Sequence, residues 1–122
     1  MEKKRTCYLF VFNGYSDWEP ALAITGLNNY SDVAIKTFSL DGKSIESMGD
    51  VKVQPDLKMS DVHLTATDLL LLPGGELWEQ GGNLETIPHV EQAIKEGTTV
   101  AAIWSNYSSR EDGCSRFYRA HK

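Results

Sequence analysis

The sequence has few of the features that mark a specialised class of protein. Two cysteines in 122 residues, Cys7 and Cys114, are too few for the disulfide framework of a small secreted domain. The 12 basic residues are outnumbered by 17 acidic ones and cluster only at residues 3–5, which argues against a nucleic-acid-binding surface. No apolar run is long enough to span a bilayer, and residues 7–12 are too short for a signal peptide. We therefore expect a cytoplasmic protein with no nucleic-acid and no membrane partner.

The motifs of nucleotide and metal sites are also missing. Neither Gly-x-Gly-x-x-Gly nor Gly-x-x-x-x-Gly-Lys occurs, so the sequence gives no support for a phosphate-binding loop. The three histidines, His63, His89 and His121, are scattered without the spacing of metal ligands, and we interpret His63 and His89 as surface residues. The sequence therefore predicts neither a cofactor nor a metal.

What the sequence does contain is enough apolar material for one domain, since 41% of its residues are hydrophobic and 10% are aromatic. Three short apolar runs, at residues 6–12, 68–72 and 98–103, have the composition of parallel strands that are covered on both faces. Residues 33–38 indicate a further strand. Two marginal strands, around residues 44–46 and 51–54, predict a small excursion from the main sheet.

Two segments between these strands have helical spacing. The first follows an Asn-Gly turn, and Ser16 or Asp17 is placed to cap it. Its apolar positions are Trp18, Leu22, Ala23 and Leu27. The second carries an apolar stripe over residues 84–94 and ends at Gly97. The resulting order predicts an α/β domain with a doubly wound, flavodoxin-like parallel sheet.

The carboxyl ends of the predicted strands carry the candidate site, because these ends meet at one edge of such a sheet. Gly74 and Gly75 follow a buried strand and could present backbone N–H groups to an oxyanion, although a tight turn alone also favours paired glycines. Glu19 lies in the first turn of a helix, where it could be aimed into a cleft or could simply complement the helix dipole. Trp104 follows the last clear strand.

Several of these segments together resemble the ThiJ/PfpI family, which has the class I glutamine amidotransferase-like fold and includes protease-like and deglycase-like members. The matching segments are the first strand with Tyr-Ser-Asp-Trp-Glu at residues 15–19, the excursion, Leu-Leu-Leu-Pro-Gly-Gly at residues 70–75, and Glu-Gly-Thr-Thr-Val-Ala-Ala-Ile at residues 96–103. Their order and spacing carry the resemblance over residues 6–103.

The resemblance implies a role for each candidate. Glu19 would contact a nucleophilic cysteine, and Gly75, with Gly74 beside it, would contribute to the oxyanion hole. The cysteine itself would occupy position 104, where this chain has Trp104. An indole cannot ionise usefully or attack a carbonyl, and Ser105 has no identified base beside it, so we expect this chain to be catalytically impaired.

Codon arithmetic offers a reason for the tryptophan. Loss of one base from a cysteine codon that precedes a glycine codon produces a tryptophan codon. When the tail is read one frame over, permitted codons continue as Gly-Ala-Thr, an apolar helix and a His-Thr pair, which is the pattern that the resemblance implies. We therefore divide the chain into a ThiJ/PfpI-like domain at residues 1–103 and an aberrant, out-of-frame tail at residues 104–122.

This hypothesis leaves the fold C-terminally incomplete, with an uncovered apolar surface and a sheet edge. We expect marginal stability, aggregation or a compensating oligomer such as a homodimer. The family implies a small-molecule or peptide substrate. Two alternatives remain open: a non-catalytic binding or oligomerisation module on the same fold, and an unrelated flavodoxin-like or receiver-like domain.

Overall fold

The computed structural model describes residues 2–102, apart from the side chain of Glu79. The strands are β1 (Arg5–Phe10), β2 (Val33–Ser39), β3 (Ile45–Glu46), β4 (Lys52–Val53), β5 (Leu57–Lys58), β6 (Leu69–Leu72) and β7 (Thr99–Ala102). Five of them form a parallel sheet in the order β5-β2-β1-β6-β7, and β3 pairs with β4 in a separate antiparallel hairpin. The parallel sheet and the excursion predicted from the sequence are thus confirmed.

Within residues 2–102, three α-helices accompany the strands: α1 (Trp18–Tyr30), α2 (Glu76–Glu79) and α3 (Ile87–Lys95). Short 3-10 turns occur at Met59–Asp61 and Leu84–Thr86. Helix α1 connects β1 to the neighbouring β2, and α3 connects β6 to β7. Each connection joins parallel neighbours and therefore needs a crossover that passes over one face of the sheet.

The alternation of side chains along β1 divides the core into two layers. Cys7, Leu9 and Val11 point to the face covered by α1, where Ala23, Ile24 and Leu27 pack against them. Phe10 and Phe12 point to the opposite face, which is covered by α3. Both layers of β1 are buried, as expected of a central strand with helices on both sides.

The α3 face holds a cluster of aromatic rings. Phe10 contacts Phe12 and Phe38 with ring centroids 5.2 Å apart in each case. Trp78 meets Phe12 edge to face, with centroids 5.6 Å apart, and its indole N–H donates a hydrogen bond to the carbonyl oxygen of Pro73. This cluster therefore supports the turn that follows β6.

Several elements differ from the sequence-based expectation. Strand β5 was not predicted, because only two residues pair with β2 and they carry no strand pattern of their own. Helix α2 was also missed; the Pro-Gly-Gly turn leads directly into it. The apolar stripe over residues 84–94 begins as a 3-10 turn and becomes α-helical only at Ile87. Such boundaries depend on tertiary packing more than on local pattern.

The packing of α1 also departs from the predicted apolar positions, because Trp18 is 59% exposed and Leu22 is 84% exposed. An apolar cavity of about 440 Å³ lies beside this helix. Its lining includes Leu22, Ala23 and Leu27 from α1, Leu69 and Leu71 from β6, and Ala101 from β7. Within residues 2–102, β7 pairs only with β6 and forms a sheet edge. The cavity and the exposed Leu22 lie on this face. The predicted loss of a covering layer, like the predictions for Ile103 and residues 104–122, concerns residues outside the described range.

Candidate functional site

Glu19 and Gly74 meet at the carboxyl edge of the sheet. Glu19 lies in the first turn of α1, directly after β1, and Gly74 follows β6, the strand beside β1. The backbone N–H of Gly74 donates a hydrogen bond to Glu19 Oε1 at 2.8 Å. The structure thus brings together two of the residues that the sequence nominated from positions 55 residues apart.

A second hydrogen bond ties the same two segments together. The N–H of Ser16, which is fully buried, donates to the carbonyl oxygen of Gly74 at 2.9 Å. Both backbone polar groups of Gly74 are therefore bound to residues 16–19, which end the β1–α1 connection and begin α1. Because its N–H is already donated to Glu19, Gly74 has no backbone donor left for a substrate oxygen.

Gly75 differs from Gly74 in this respect. Its N–H donates to no acceptor within residues 2–102, and its extended backbone (φ 164°) is open to any residue type. Glycine is required here for space: a Cβ atom would lie 2.8 Å from Phe12 Cε2 and 3.0 Å from the carbonyl oxygen of Gly14. Gly75 therefore places a backbone donor where the chain packs too closely for a side chain.

The β3–β4 hairpin adjoins this edge through the segment that precedes α1. Gly14 donates its N–H to the carbonyl oxygen of Glu46 at 2.8 Å, and Glu46 donates its own N–H to Asn13 Oδ1 at 3.0 Å. Met48 donates its N–H to the carbonyl oxygen of Tyr15 at 2.8 Å. The predicted excursion is thus one side of the candidate site.

Asp17 has a different role from the one predicted for it. It stands at the N-cap position of α1, but its side chain makes no capping hydrogen bond. The carboxylate instead accepts hydrogen bonds from the Ser47 hydroxyl and, at 2.8 Å, from the Gly49 N–H. Ser16, the other predicted cap, is the buried residue bonded to Gly74. The sequence pattern predicts that the Asp17 side chain caps the helix, but in the structure this side chain binds the hairpin.

Two ionisable groups near the site respond to these surroundings. The Ser47 hydroxyl and the Gly49 N–H lower the pKa of Asp17 despite the partial burial of its carboxyl group. Burial, together with the nearby negative charge of Asp17, raises the pKa of Tyr15. Asp17 is consequently a carboxylate, and Tyr15 a neutral phenol, at neutral pH.

Cys7 is a free cysteine but does not supply a nucleophile for this edge. It lies within β1 on the α1 face, is 1% exposed, and burial raises the pKa of its thiol to about 11. A thiol with that pKa is almost entirely protonated at neutral pH, and the protonated form is a poor nucleophile. Cys7 therefore belongs to the core.

The predicted surface histidines, His63 and His89, are both exposed and line one shallow pocket with Glu96. Within residues 2–102, no group of three or more His, Cys, Asp or Glu side chains could hold a metal ion. No helix in the same range has the length and apolar composition needed to cross a bilayer. His121 and Trp104 lie outside the described residues.

Sequence reasoning missed three contributors to the site: the Asp17 carboxylate as a ligand of the hairpin, the Asn13 side chain, and the Trp78 indole beneath the Pro-Gly-Gly turn. The signals that could have found them are slight. A Gly at position 49 and a Ser at position 47 fit a turn bound by a carboxylate, but many turns share that composition.

Comparison with known proteins shows to which family the chain is similar. The sequence profile described as the DJ-1/PfpI family matches residues 5–105. A Bacillus subtilis protein described as the uncharacterized protease YoaZ is 32% identical over 106 residues, which cover 81% of this chain and 50% of that protein. A second curated B. subtilis relative, the uncharacterized protease YdeA, is covered over 49% of its length, so the chain spans about half the length of these relatives.

Solved structures agree with this assignment. A thiJ/pfpI family protein from Bacillus anthracis superposes with a TM-score of 0.74 at 31% identity, over 84% of this chain and 52% of that one. Drosophila melanogaster DJ-1beta shares the fold, with a TM-score of 0.67 at 20% identity over 99% of this chain and 61% of its own. The profile match over residues 5–105 shows that the chain belongs to the DJ-1/PfpI family.

Proposed function

We propose that the described residues form half of the active site of a cysteine-dependent hydrolase or deglycase, with position 104 as the place of the nucleophile. The observation that carries this proposal is that the two glycines at the sheet edge differ in the hydrogen bonding of their N–H groups. Glu19 holds the Gly74 N–H through one carboxylate oxygen, while the Gly75 N–H has no acceptor within residues 2–102. The protease-like description of the B. subtilis relatives and the family match through residue 105 support it.

The proposed roles follow from the chemistry of thiol catalysis. A thiolate at position 104 would attack the carbonyl carbon of a small-molecule or peptide substrate, and the carbonyl electron pair would move to the oxygen. The Gly75 N–H would donate a hydrogen bond to that oxyanion. Glu19 Oε2 accepts no hydrogen bond within residues 2–102, so it is the oxygen that would face the thiol and take up its proton.

The chain as written lacks the group that this reaction requires. Trp104 has no acidic proton to lose near neutral pH and no nucleophilic atom for attack on a carbonyl carbon. We therefore propose that this chain is catalytically impaired and that residues 104–122 are translated out of frame. The free, buried thiol of Cys7 fits a reducing, cytoplasmic setting for the protein.

The test compares two chains that differ only after residue 103. One is the sequence as written, and the other carries Trp104→Cys followed by the residues of the shifted frame. We expect the second chain to be alkylated by iodoacetamide at pH 6 about tenfold faster than an unperturbed thiol of pKa about 8.5, because the N-terminus of the helix that follows the elbow would favour the thiolate.

The matched control is the shifted-frame chain with Trp104→Ser, which keeps Cys7 and removes only the proposed nucleophile. It should show no rapid alkylation and no thiol-dependent hydrolysis of an activated ester. A shifted-frame chain that folds but whose new thiol reacts no faster than free cysteine would contradict the proposal.

A second candidate function is a non-catalytic oligomerisation module. The observation in its favour is the apolar cavity of about 440 Å³ between α1 and the edge strand β7, together with the high exposure of Leu22. A second copy of the chain could cover this face as a homodimer. Sedimentation of the chain over a hundredfold range of concentration tests it: a dimer that Leu22→Asp dissociates supports this function, and a monomer throughout rejects it.

A further inference from the structure

The side chain of Asp17 binds the turn between β3 and β4, next to the backbone hydrogen bond from Met48 to Tyr15. Oδ1 of its carboxylate accepts the Gly49 N–H at 2.8 Å, and Oδ2 accepts the Ser47 hydroxyl. Ser47 is 6% exposed, and its Oγ also accepts the N–H of Val51 at 3.0 Å. The carboxylate therefore binds both the buried Ser47 side chain and the exposed backbone of the turn.

The shape of the turn is adapted to this carboxylate. A Cβ atom at Gly49 would lie 3.2 Å from both Asp17 oxygens, so a side chain at position 49 would crowd the carboxylate. Asp50 takes a positive φ of 62°, which an L-residue adopts at some cost and which reverses the chain directly after Gly49. Both features bring backbone close to Asp17.

Asp17 is also close in sequence to the catalytic edge. Glu19 lies two residues later, and Ser16, the residue before Asp17, donates its N–H to the Gly74 carbonyl oxygen. Hydrogen bonds at both ends of residues 16–19, joined by the backbone of this segment, thus connect the hairpin turn to the Pro-Gly-Gly turn. A displacement of Asp17 would move the first turn of α1, from which Glu19 reaches Gly74.

The geometry points to Asp17 as the positioning residue of this site: by binding the Ser47 hydroxyl and the Gly49 N–H, it holds the start of α1 where Glu19 meets the Gly74 N–H. It touches no reacting atom and acts through Glu19. This inference rests on the proposed function of Glu19, but the bond that it concerns exists in the chain as written. The unused capping position of Asp17 agrees with it, since the side chain serves the hairpin and not its own helix.

Amide hydrogen exchange in the full 122-residue chain tests the inference. We expect Asp17→Ala to speed exchange of the Gly74 amide about tenfold relative to the Leu71 amide in the same sample, because a hydrogen bond to a carboxylate is weakened. The Leu71 amide in the buried strand β6 reports global opening. A purely structural role for Asp17 would raise both rates by the same factor and would overturn the inference.

A matched control is available on the other side of the sheet. The Asp56 carboxylate also binds one backbone N–H and one hydroxyl, those of Thr37, at 2.9 and 3.2 Å. Asp56→Ala should leave the ratio of the Gly74 and Leu71 rates unchanged. Asp17→Asn should restore most of the protection, since its amide can accept the Gly49 N–H and donate to Ser47 Oγ.

If Asp17→Ala does not fold, Ser47→Ala replaces it as the test variant. It removes one of the two hydrogen bonds that Asp17 accepts and should raise the ratio of the Gly74 and Leu71 exchange rates by a smaller factor. The inference would also be rejected by two results together. Ser47→Ala would leave the ratio of the Gly74 and Leu71 exchange rates unchanged, and Asp17→Asn would protect the Gly74 amide no better than other Asp17 variants that fold. These results are independent of catalysis. An inactive shifted-frame chain would refute the proposed function while leaving the exchange ratios unaffected.

Discussion

Replacement of Gly75 by alanine probes the close packing on which the candidate oxyanion donor depends. The new Cβ would lie 2.8 Å from Phe12 Cε2, 3.0 Å from the Gly14 carbonyl oxygen and 3.1 Å from Phe12 Cζ. Favourable carbon–carbon contacts lie at about 3.5–4.0 Å, so the ring or the turn must move by roughly 1 Å. Alanine tolerates the extended backbone at this position, and the cost is therefore steric.

The ring cannot move freely. Phe12 is 4% exposed and packs against Phe10 and Trp78 in the aromatic cluster. We expect Gly75→Ala to lower the free energy of unfolding by about 1–3 kcal/mol, the usual cost of overpacking a dense core. Urea unfolding followed by circular dichroism measures the change, with an unchanged m-value as the condition for interpreting it.

Gly26→Ala is the matched control, because Gly26 lies within α1 and a Cβ there meets nothing within 4 Å. The gain in helix propensity should raise the free energy of unfolding by about 0.5–1 kcal/mol. If the free energy of unfolding of Gly75→Ala lies within about 0.5 kcal/mol of that of the unsubstituted chain, which is the range of ordinary surface substitutions, the steric explanation is refuted.

Three further predictions concern single side chains. Hydrogen bonds lower the pKa of Asp17 in the folded state, so its contribution to the free energy of unfolding should be complete above the unfolded pKa of about 3.9 and be lost as the pH falls through the lower folded value. The difference in free energy of unfolding between the unsubstituted chain and Asp17→Asn should shrink over that acidic range. A difference that stays constant would contradict this prediction. Asn83 is 3% exposed at φ 61°, and its side-chain amide atoms have no hydrogen-bond partner within residues 2–102. Asn83→Gly should therefore raise the free energy of unfolding by about 1 kcal/mol. A fall in the free energy of unfolding would reveal a hydrogen bond to the amide. In a Cys114→Ser variant, Cys7 should resist Ellman's reagent at pH 8 until urea unfolds the chain, and rapid reaction without urea would show that the thiol is accessible.

The sequence was sufficient to predict the parallel sheet and the strand ends at which Glu19 and Gly74 meet. The apolar runs of β1 and β6 and the glycines after β6 are local signals with a direct physical cause, namely burial on two faces and close backbone approach. Given those strands, the convergence of Glu19 and Gly74 at one edge follows from the topology of parallel sheets.

What the sequence could not predict depends on contacts between distant segments. Asp17 has the residue type and position of a helix cap, yet Ser47 and Gly49 compete for its carboxylate from 30 and 32 residues away. Strand β5 exists because Phe38 and Ser39 offer an unpaired edge to Leu57 and Lys58. Leu22 has helical spacing but little of its surface is covered. In each case tertiary contacts, or their lack, decide the outcome.

The most direct test of the central claim is the nucleotide sequence of the coding DNA from the codon of Val100 onward. We propose that position 104 is the place of the family's nucleophile and that Trp104 arose by loss of one base. This proposal predicts that, with one base restored at codon 104, the frame encodes a cysteine, then Gly-Ala-Thr, an apolar helix and a His-Thr pair. A stop codon or a run of non-helical residues in that frame within the span of residues 104–122 would contradict it.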